Sequence, residues 1–375
     1  MKKIARLAFL TIFTLLLTTS TSSISPSLAA PVTTLQNGAD VSWLPEIERA
    51  GSQLYDAKGR KIDPLLLMKQ SGLKVARVRL WVQPSDQRSS INEVLALAKR
   101  IKKAGLVFVL DFHYSDWWAD PSGQTVPLAW QGLNHAQLET KIGEYTASTL
   151  ERFALQNTSP QWVQVGNEIA NGMLWPTGKL NTWSSEEFKR LTGLLNSASA
   201  AVRASAGKPK VMIHLETGGD SRKTASWLSN ALANNLTRPD AIGLSYYSQW
   251  SGPLSNLEKT INVVANDFNF AVAIAETAYP NTRTSPTKQV LDAAKAPLPG
   301  FAISPSGQAA YATKSCAVLR ANAGAKSLGV WWWEGLSPNK SKLTDELGPS
   351  YVSSSSLVTL AGRANAAMLA LGKCK

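Results

Sequence analysis

Short apolar runs alternate with longer amphipathic segments along the chain after residue 30. The apolar runs are rich in β-branched and aromatic residues, as is typical of strands that are buried on both faces of a parallel sheet. We predict eight strands from them, over residues 39–43, 75–81, 106–112, 161–165, 210–215, 241–246, 271–275 and 328–333. The amphipathic segments between them predict helices, most clearly over residues 91–104, 135–155, 184–206 and 308–323.

Strand and helix follow each other throughout, and this order indicates a parallel sheet. Eight repeats in a chain of 375 residues favour a closed cylinder over an open doubly wound sheet, and no glycine-rich phosphate loop follows any predicted strand. We therefore expect an α/β fold, a (β/α)8 TIM barrel, as a single domain over residues 31–375. Three long polar loops, 114–134, 170–182 and 279–305, follow strands and would form the walls of a cleft at the carboxyl ends of the strands.

The first 30 residues differ from the rest of the chain. Basic residues precede an apolar stretch over residues 7–17, and a run of small residues follows. This order predicts a secretory signal peptide over residues 1–30, cleaved after Ala29 or Ala30. A membrane anchor is the alternative, although the apolar stretch is shorter than the roughly 20 residues that span a bilayer. We expect a secreted protein, extracellular or periplasmic, without membrane contact once the signal is removed.

The chain is basic, with a formal net charge of +13. Its positive residues are scattered rather than aligned in one stripe, whereas a nucleic-acid footprint should be clustered. We therefore expect a soluble basic surface and no nucleic-acid partner. An attraction to acidic polysaccharide or to cell wall stays open.

Only two cysteines occur, Cys316 and Cys374. In an exported protein we expect them to pair, which would tether a C-terminal helix to the helix before it. Two free thiols are the alternative. So isolated a pair does not predict redox or metal chemistry.

Two glutamates stand at the ends of predicted strands four and seven. Glu168 follows an apolar run and Asn167, and Glu276 follows Ala275 directly. Two carboxyl groups at one mouth of a barrel can cleave a glycosidic bond, because one can attack the anomeric carbon while the other protonates the leaving oxygen. A helix-starting acid or an ion-pair partner is the alternative for either glutamate alone. The pair, together with abundant tryptophan, favours a glycosidase.

Aromatic and basic residues near other strand ends are suited to binding sugars. Tryptophan rings stack on pyranose faces, and the chain contains 13 tryptophans, some of which must pack in the core. In the run Trp331-Trp332-Trp333 alternate side chains face opposite ways, and we expect Trp333 nearest the cleft. Arg77 and Arg79 share one face of strand two. We expect Arg79 near the tip, where its charge keeps the nucleophile ionised, and Arg77 deeper in the barrel as a structural partner.

His113 and His214 stand at the ends of predicted strands three and five. With a glutamate they could hold zinc, but no paired ligand spacing supports such a site. Neutral histidines that bond sugar hydroxyls or orient carboxylates are the better interpretation. We predict no cofactor and no metal.

A series of motifs runs in order over nearly the whole chain after residue 30. They are Gly38-Ala39-Asp40-Val41-Ser42, Arg77-Val78-Arg79-Leu80-Trp81, Asp111-Phe112-His113-Tyr114-Ser115-Asp116 with Trp118-Ala119-Asp120-Pro121, Gln164-Val165-Gly166-Asn167-Glu168, His214-Leu215, Ser245-Tyr246-Tyr247 with Trp250, and Glu276-Thr277-Ala278-Tyr279-Pro280. Together they resemble the family 53 glycoside hydrolases, the arabinogalactan endo-β-1,4-galactanases. The match departs from the family pattern at residues 216–219, which read Glu-Thr-Gly-Gly where members often carry Asp-Asn-Gly-Trp. A tryptophan that would stack on an outer sugar is therefore missing.

The resemblance implies a (β/α)8 barrel that hydrolyses glycosides with retention of configuration. It implies Glu168 as the acid/base and Glu276 as the nucleophile. Nine further residues would bind the substrate: Asp40, Arg79, His113, Trp118, Asn167, His214, Tyr247, Trp250 and Trp333.

We therefore expect a secreted, monomeric endo-β-1,4-galactanase that hydrolyses the β-1,4-galactan side chains of pectin by double displacement, with the polysaccharide as its partner. The same chemistry on β-mannan or β-glucan is one alternative. A catalytically inactive barrel that binds sugars is another, although both glutamates are present.

Overall fold

Eight parallel strands form a closed cylinder in the computed structural model, which describes residues 35–283, 298–336 and 353–374. The strands are β1 (Gly38–Asp40), β2 (Val75–Leu80), β3 (Val107–Phe112), β4 (Trp162–Val165), β5 (Lys210–Leu215), β6 (Ala241–Ser245), β7 (Ala271–Thr277) and β8 (Ser327–Trp332). Strand β1 pairs with both β2 and β8, which closes the cylinder. The predicted (β/α)8 TIM barrel is confirmed. The predicted signal peptide and the middle of the loop 279–305 lie outside the described residues.

Helices separate most of the strands along the described chain. They are α1 (Leu44–Arg49), α2 (Pro64–Gln70), α3 (Ile91–Ala104), α4 (His135–Leu155), α5 (Ser185–Ala204), α6 (Ser221–Ala233), α7 (Ser248–Ser251), α8 (Leu254–Asn262), α9 (Pro305–Ala323) and α10 (Ala366–Lys373). Two short hairpins lie in loops, Leu54–Tyr55 with Lys61–Ile62 and Gly172–Met173 with Gly178–Lys179. None of the helices among the described residues has the length and apolar character needed to cross a membrane.

The ends of α3 and α4 agree with the predicted ends because local signals set them. The Ser90 side chain accepts the Glu93 N–H at the start of α3, and Gly105 ends that helix with a left-handed φ of 67°. Asn134 and Gln137 form a reciprocal capping box at the start of α4. These two helices could therefore be located from sequence alone.

Two strands near the cleft end two or more residues away from the predicted ends, whereas the other ends agree to within one residue. Strand β1 stops at Asp40 because the Asp40 carboxylate accepts the Ser42 N–H at 2.9 Å, and this turn leads the chain into α1. Strand β7 continues to Thr277, so that Glu276 lies inside the strand rather than after it.

The barrel interior has an apolar level at the amino ends of the strands and a polar level towards their carboxyl ends. Val75, Val109, Trp162 and Met212 belong to one buried apolar cluster. Two positions further along the same strands, and therefore on the same side of the sheet, the side chains are polar. These four are Arg77, Asp111, Gln164 and His214, all of them buried. The polar level forms the floor of any site at the carboxyl ends.

A disulfide joins the last two helices of the described part of the chain. It links Cys316 on α9 with Cys374, which directly follows α10, over a sequence separation of 58. Asn37 ties α10 to the barrel, because its Nδ2 donates to the Leu371 carbonyl at 3.0 Å while its Oδ1 accepts the Val330 N–H at 2.9 Å. Helix α10 is thus held both to α9 and to the chain entering β1.

Removing this disulfide should lower stability. We expect the Cys316→Ser/Cys374→Ser double variant to lose about 2–4 kcal/mol of unfolding free energy, because the unfolded chain regains the freedom of an open loop. Urea denaturation followed by circular dichroism measures the loss. Wild-type protein unfolded in a reducing agent is the control and should match the variant. A variant as stable as the oxidised wild type would contradict the expectation.

Candidate active site

The loops at the carboxyl ends of the strands enclose a cavity of about 280 Å³. Ten of the residues for which we predict a catalytic or sugar-binding role line it: Asp40, Arg79, His113, Trp118, Asn167, Glu168, Tyr247, Trp250, Glu276 and Trp333. Arg77 and Asp120, for which we predict no such role, also line it. The barrel topology therefore brings together side chains from all parts of the sequence.

Arg77 is the centre of the polar level. Its guanidinium contacts three carboxylates, those of Asp40 at 2.8 Å, Asp111 at 2.8 Å and Glu276 at 2.9 Å. It also donates to the Gln164 side-chain oxygen at 3.0 Å. Burial lowers the pKa of Arg77, but the three carboxylates outweigh it and raise the pKa overall, so the side chain stays a cation.

The expected roles of the two arginines are wrong in one respect: Arg77, not Arg79, contacts Glu276. Arg79 turns to the other side of the cavity, where it pairs with Glu334 at 2.7 Å. Burial and the charge of Asp40 raise the pKa of Glu334 to about 8, against the effect of Arg79. Both arginines do share one face of β2, as predicted, but the sequence does not show that the Arg77 side chain reaches across to β7.

An irregularity in β7 aims Glu276 into the cavity. Leu244 pairs with Ile274, but the next residue of β6, Ser245, pairs with Glu276, and so β7 contains one extra residue at this point. Ala275 belongs to the interior apolar cluster, whereas the Thr277 hydroxyl bonds to Tyr311 on α9, outside the barrel. Such a bulge re-aims a side chain, and here it lets Ala275 and Glu276 both face inward.

Glu276 is held by one cation and one hydroxyl. Besides Arg77, the Tyr247 hydroxyl donates to Glu276 Oε2 at 3.1 Å. Burial raises the pKa of Glu276 to about 7, with the Asp111 and Asp40 charges adding to the rise, while Arg77 and Tyr247 oppose it. The carboxyl group can therefore ionise near neutral pH.

Glu168 has different surroundings. Its Oε1 accepts the Ser245 hydroxyl at 2.6 Å, and it forms no ion pair with any residue that the structure describes. Burial and the charges of Glu276 and Glu216 raise its pKa well above the usual value, and the Ser245 hydroxyl opposes them. Of the two carboxyl groups, Glu276 ionises first and Glu168 keeps the proton.

His214 lies beneath the cavity rather than in its wall, which corrects the prediction that it binds substrate. It is completely buried, and its Nε2 lies 2.8 Å from Ser245 Oγ. Its Nδ1 lies 2.9 Å from Asn167 Oδ1 and 3.1 Å from Gln164 Nε2. Burial and Arg77 lower the pKa of His214 well below its usual value, so the ring is neutral. It positions Ser245 and Asn167, the neighbours of Glu168.

His113 also uses both ring nitrogens within the protein. Its Nδ1 accepts the Ala119 N–H at 3.1 Å and the Trp81 indole N–H at 3.3 Å, and its Nε2 lies 3.2 Å from Asp111. No three histidine, cysteine, aspartate or glutamate side chains in the described ranges are grouped so as to hold a metal ion. The two histidines that a zinc site would use are therefore both engaged with protein groups.

Tryptophans cluster around Arg79 on one side of the cavity. The Arg79 guanidinium lies 4.2 Å from the ring centre of Trp118, and Trp43 contacts both Trp118 and Trp333. Of the run 331–333, the first two rings are buried in the core and the Trp333 ring lines the cavity. This side of the cavity offers flat apolar surfaces together with a cation, which suits the stacking of a sugar.

Several residues of the site have no predicted role, namely Ser245, Gln164, Glu216 and Glu334. Gln164 could have been found, because a polar side chain at an inward position of an apolar strand needs a buried partner. Ser245 and Glu334 carry no such signal, since serine and glutamate are residue types that are mostly exposed. Their contacts depend on which strands become neighbours.

A family model, two curated relatives and a solved structure point to one family. The family model described as Glycosyl hydrolase family 53 matches residues 36–371. The arabinogalactan endo-β-1,4-galactanase of Cellvibrio japonicus is 36% identical over 306 residues, which are 79% of this chain and 79% of that protein. The arabinogalactan endo-β-1,4-galactanase of Thermothelomyces thermophilus is 32% identical over 304 residues, 79% of this chain and 88% of that protein. A solved structure of fungal β-1,4-galactanases has a TM-score of 0.78 at 29% identity, and covers 91% of this chain and 99% of that chain.

The Ser245→Ala substitution should raise the pKa of Glu168 further. The serine hydroxyl stabilises the ionised carboxylate, so its loss favours the proton, by about one pH unit for a hydrogen bond to a charged group. Carbon-13 NMR of the glutamate carboxyl groups, assigned with Glu168→Gln and Glu276→Gln variants, measures the titration. Tyr247→Phe is the matched control and should raise the pKa of Glu276 instead. An unchanged Glu168 titration in Ser245→Ala would show that this hydrogen bond has no influence.

Proposed function

The chain belongs to glycosyl hydrolase family 53 and is a glycoside hydrolase, and from that membership we propose that it is an endo-acting hydrolase of β-1,4-galactan. The family 53 relatives named above carry the name arabinogalactan endo-β-1,4-galactanase. The β-1,4-galactan side chains of pectin are the substrate proposed here. The predicted signal over residues 1–30 would export the enzyme to meet this polysaccharide, on which it would act as a monomer.

The unequal surroundings of the two carboxyl groups are the observation that supports the mechanism best. Glu276, paired with Arg77 and bonded to Tyr247, is the group that ionises first, and we assign it as the nucleophile. Glu168 lacks a paired cation and keeps its proton, and we assign it as the general acid. Hydrolysis between two carboxyl groups needs this division of protonation states.

The reaction then proceeds in two displacements. Glu276 attacks the anomeric carbon while Glu168 transfers its proton to the leaving oxygen, which forms a glycosyl–enzyme ester and releases the first sugar chain. Glu168, now ionised, removes a proton from water, and this water attacks the anomeric carbon and releases Glu276. Each displacement inverts the anomeric centre, so the product keeps the β configuration.

Asn167 and the tryptophan side of the cavity would position the sugar. The Asn167 Oδ1 accepts a hydrogen bond from Arg77 at 2.9 Å, and the Asn167 Nδ2 donates one of its two hydrogens to the Ala119 carbonyl at 2.8 Å. The second amide hydrogen has no acceptor among the described residues and would bond to a sugar hydroxyl. Trp118 and Trp333 would supply stacking faces.

Alanine at either glutamate should abolish galactan hydrolysis, with a loss on the order of 10⁴-fold or more. Azide rescue, measured with an aryl β-galactobioside, then distinguishes the roles of the two glutamates, because the aryl group leaves without being protonated by an acid. In Glu276→Ala, azide attacks from the vacated side, displaces the aryl group and gives the α-galactobiosyl azide. In Glu168→Ala, azide attacks the ester formed by Glu276 and gives the β-galactobiosyl azide.

Proton NMR of the azide products reads the configuration, and circular dichroism of each variant confirms that it is folded. If Glu276→Ala gave the β product and Glu168→Ala gave the α product, the roles assigned to the two glutamates would be reversed. Full hydrolysis by folded Glu276→Ala would remove the proposed nucleophile.

The substrate class is tested by reducing-sugar release from β-1,4-galactan, β-mannan and carboxymethylcellulose. We expect galactan to be hydrolysed at least about tenfold faster than the other two, because a pocket that bonds specific hydroxyls discriminates strongly against other epimers. Preferential hydrolysis of β-mannan or carboxymethylcellulose would show that this polymer, and not galactan, is the substrate. Binding of galactan without turnover would show a sugar-binding protein instead.

A further inference from the structure

A second, polar cavity adjoins the active site. It has a volume of about 640 Å³ and lies between the loops that follow β5 and β6. Trp250, a residue that is 71% exposed, lines both this cavity and the active-site cavity. Its ring also packs edge-on against Tyr247 at 5.3 Å. A sugar chain that leaves the active site over Trp250 therefore enters the second cavity directly.

Gly219 lets the loop after β5 pack closely against α7 at one edge of this cavity. A Cβ added at Gly219 would lie 2.6 Å from the Ser251 Cα, closer than side chains tolerate. Five of the lining residues come from α6 and α8, namely Ser221, Arg222, Lys223, Asn256 and Lys259. Most of these side chains are charged.

The second cavity carries more positive than negative charge. Arg222, Lys223 and Lys259 line it, against Glu216 and Asp220. Lys223 lies 3.9 Å from Glu216 Oε1, and Asp220 caps α6 by accepting the Lys223 backbone N–H at 2.9 Å. Each carboxylate thus has a compensating group nearby.

Arg222 and Lys259 are uncompensated. Both are exposed, and neither makes an ion pair or a side-chain hydrogen bond with any residue in ranges 35–283, 298–336 and 353–374. Two free cations in the wall of a cleft attract an anion, and they bind a carboxylate through charge-assisted hydrogen bonds. A neutral sugar would accept hydrogen bonds from them but would not neutralise their charge.

Glu216 offers the complementary group for a hydroxyl. Its Oε1 is buried and, among the described residues, has no hydrogen-bond partner, while its Oε2 accepts the Ala170 N–H at 3.1 Å. A ligand that carries both hydroxyl donors and a carboxylate would satisfy Glu216 and the two cations together. A uronic acid, or another sugar acid, has this chemistry.

The cavity lies on the leaving-group side of the scissile bond, if Glu168 is the general acid. Ala170 follows Glu168 by two residues, and its bond to Glu216 places the cavity wall beside Glu168 rather than beside the tryptophans around Arg79. The acid protonates the leaving oxygen, so the sugars beyond Glu168 belong to the leaving chain.

We propose that this cavity binds a carboxylate-bearing sugar on the leaving-group side, so that the enzyme cleaves galactan preferentially next to acidic sugar units. This inference rests on the proposed galactanase function. It makes Arg222 and Lys259 specificity-determining residues for the position of cleavage.

Two matched substrates isolate the effect of one carboxylate charge on cleavage. A β-1,4-galactohexaose whose reducing end is oxidised to an aldonate carries one carboxylate, and the same hexaose reduced to an alditol carries none. In both substrates the modified terminal unit is an open chain. We expect wild-type enzyme to show a kcat/KM about threefold to tenfold higher for the aldonate at low ionic strength, the range of partly exposed ion pairs. The ratio should fall towards one in the Arg222→Gln/Lys259→Gln double variant and in high salt.

A matched control removes two cations elsewhere. Lys99→Gln/Lys103→Gln changes two exposed lysines on α3, away from the cavity, and lowers the net charge equally, so the ratio should stay at the wild-type value. A wild-type ratio of one, or a ratio that Arg222→Gln/Lys259→Gln leaves unchanged, would overturn the inference while leaving galactanase activity in place.

Calorimetric binding of the same two hexaoses to Glu168→Gln provides a readout without turnover. Preferred binding of the aldonate, lost in the Arg222→Gln/Lys259→Gln background, supports the cavity as an acid-binding site. Equal binding of both hexaoses overturns it. If wild-type enzyme cleaves neither hexaose nor galactan, the proposed function fails, and this binding ratio alone decides whether the cavity recognises a carboxylate.

Discussion

One buried guanidinium organises the carboxyl end of the barrel. Arg77 on β2 contacts carboxylates on β1, β3 and β7 at 2.8–2.9 Å. Removing a partner from such a cluster would leave buried charge uncompensated, which is far more costly than losing an exposed ion pair. Because three carboxylates share one cation, the cluster has an excess of negative charge. Burial, together with the negative charges of Asp111 and Asp40, therefore raises the pKa of Glu276 to about 7 in spite of Arg77.

The polar level is tolerable inside the barrel because each of its members has a partner. Gln164 donates to Asp111 at 2.6 Å and accepts from Arg77, and His214 links Asn167 to Ser245. Buried polar groups that are fully bonded become rigid, whereas unpaired ones would destabilise the fold. The apolar level beneath them supplies the packing. The apolar packing that stabilises the barrel and the polar groups that form the site thus lie at different levels along the same strands.

The two sides of the cavity differ in chemical character. Tryptophans surround Arg79 on one side, and charged side chains line the second cavity beyond Glu168 on the other. A sugar chain across the cleft would be stacked on aromatic rings at one end and attracted by charge at the other. The two glutamates lie between these regions, where Arg77 distinguishes them by contacting only one.

The sequence by itself determined the barrel, most strand positions and the two glutamates, because these follow from local periodicity and from residues at strand ends. Helices α3 and α4 were predicted to the residue because their caps are local. Ten of the predicted site residues line one cavity because the carboxyl ends of parallel strands must meet.

Only the tertiary structure decided which arginine meets Glu276, and that His214 lies under the cavity instead of in its wall. Those contacts join residues that are far apart in the chain, so they depend on strand register and on side-chain reach. A single extra residue in β7 turns Glu276 inward, which alternation alone would not predict. The second cavity arises in the same way, from two loops whose charges become neighbours only when the cylinder closes.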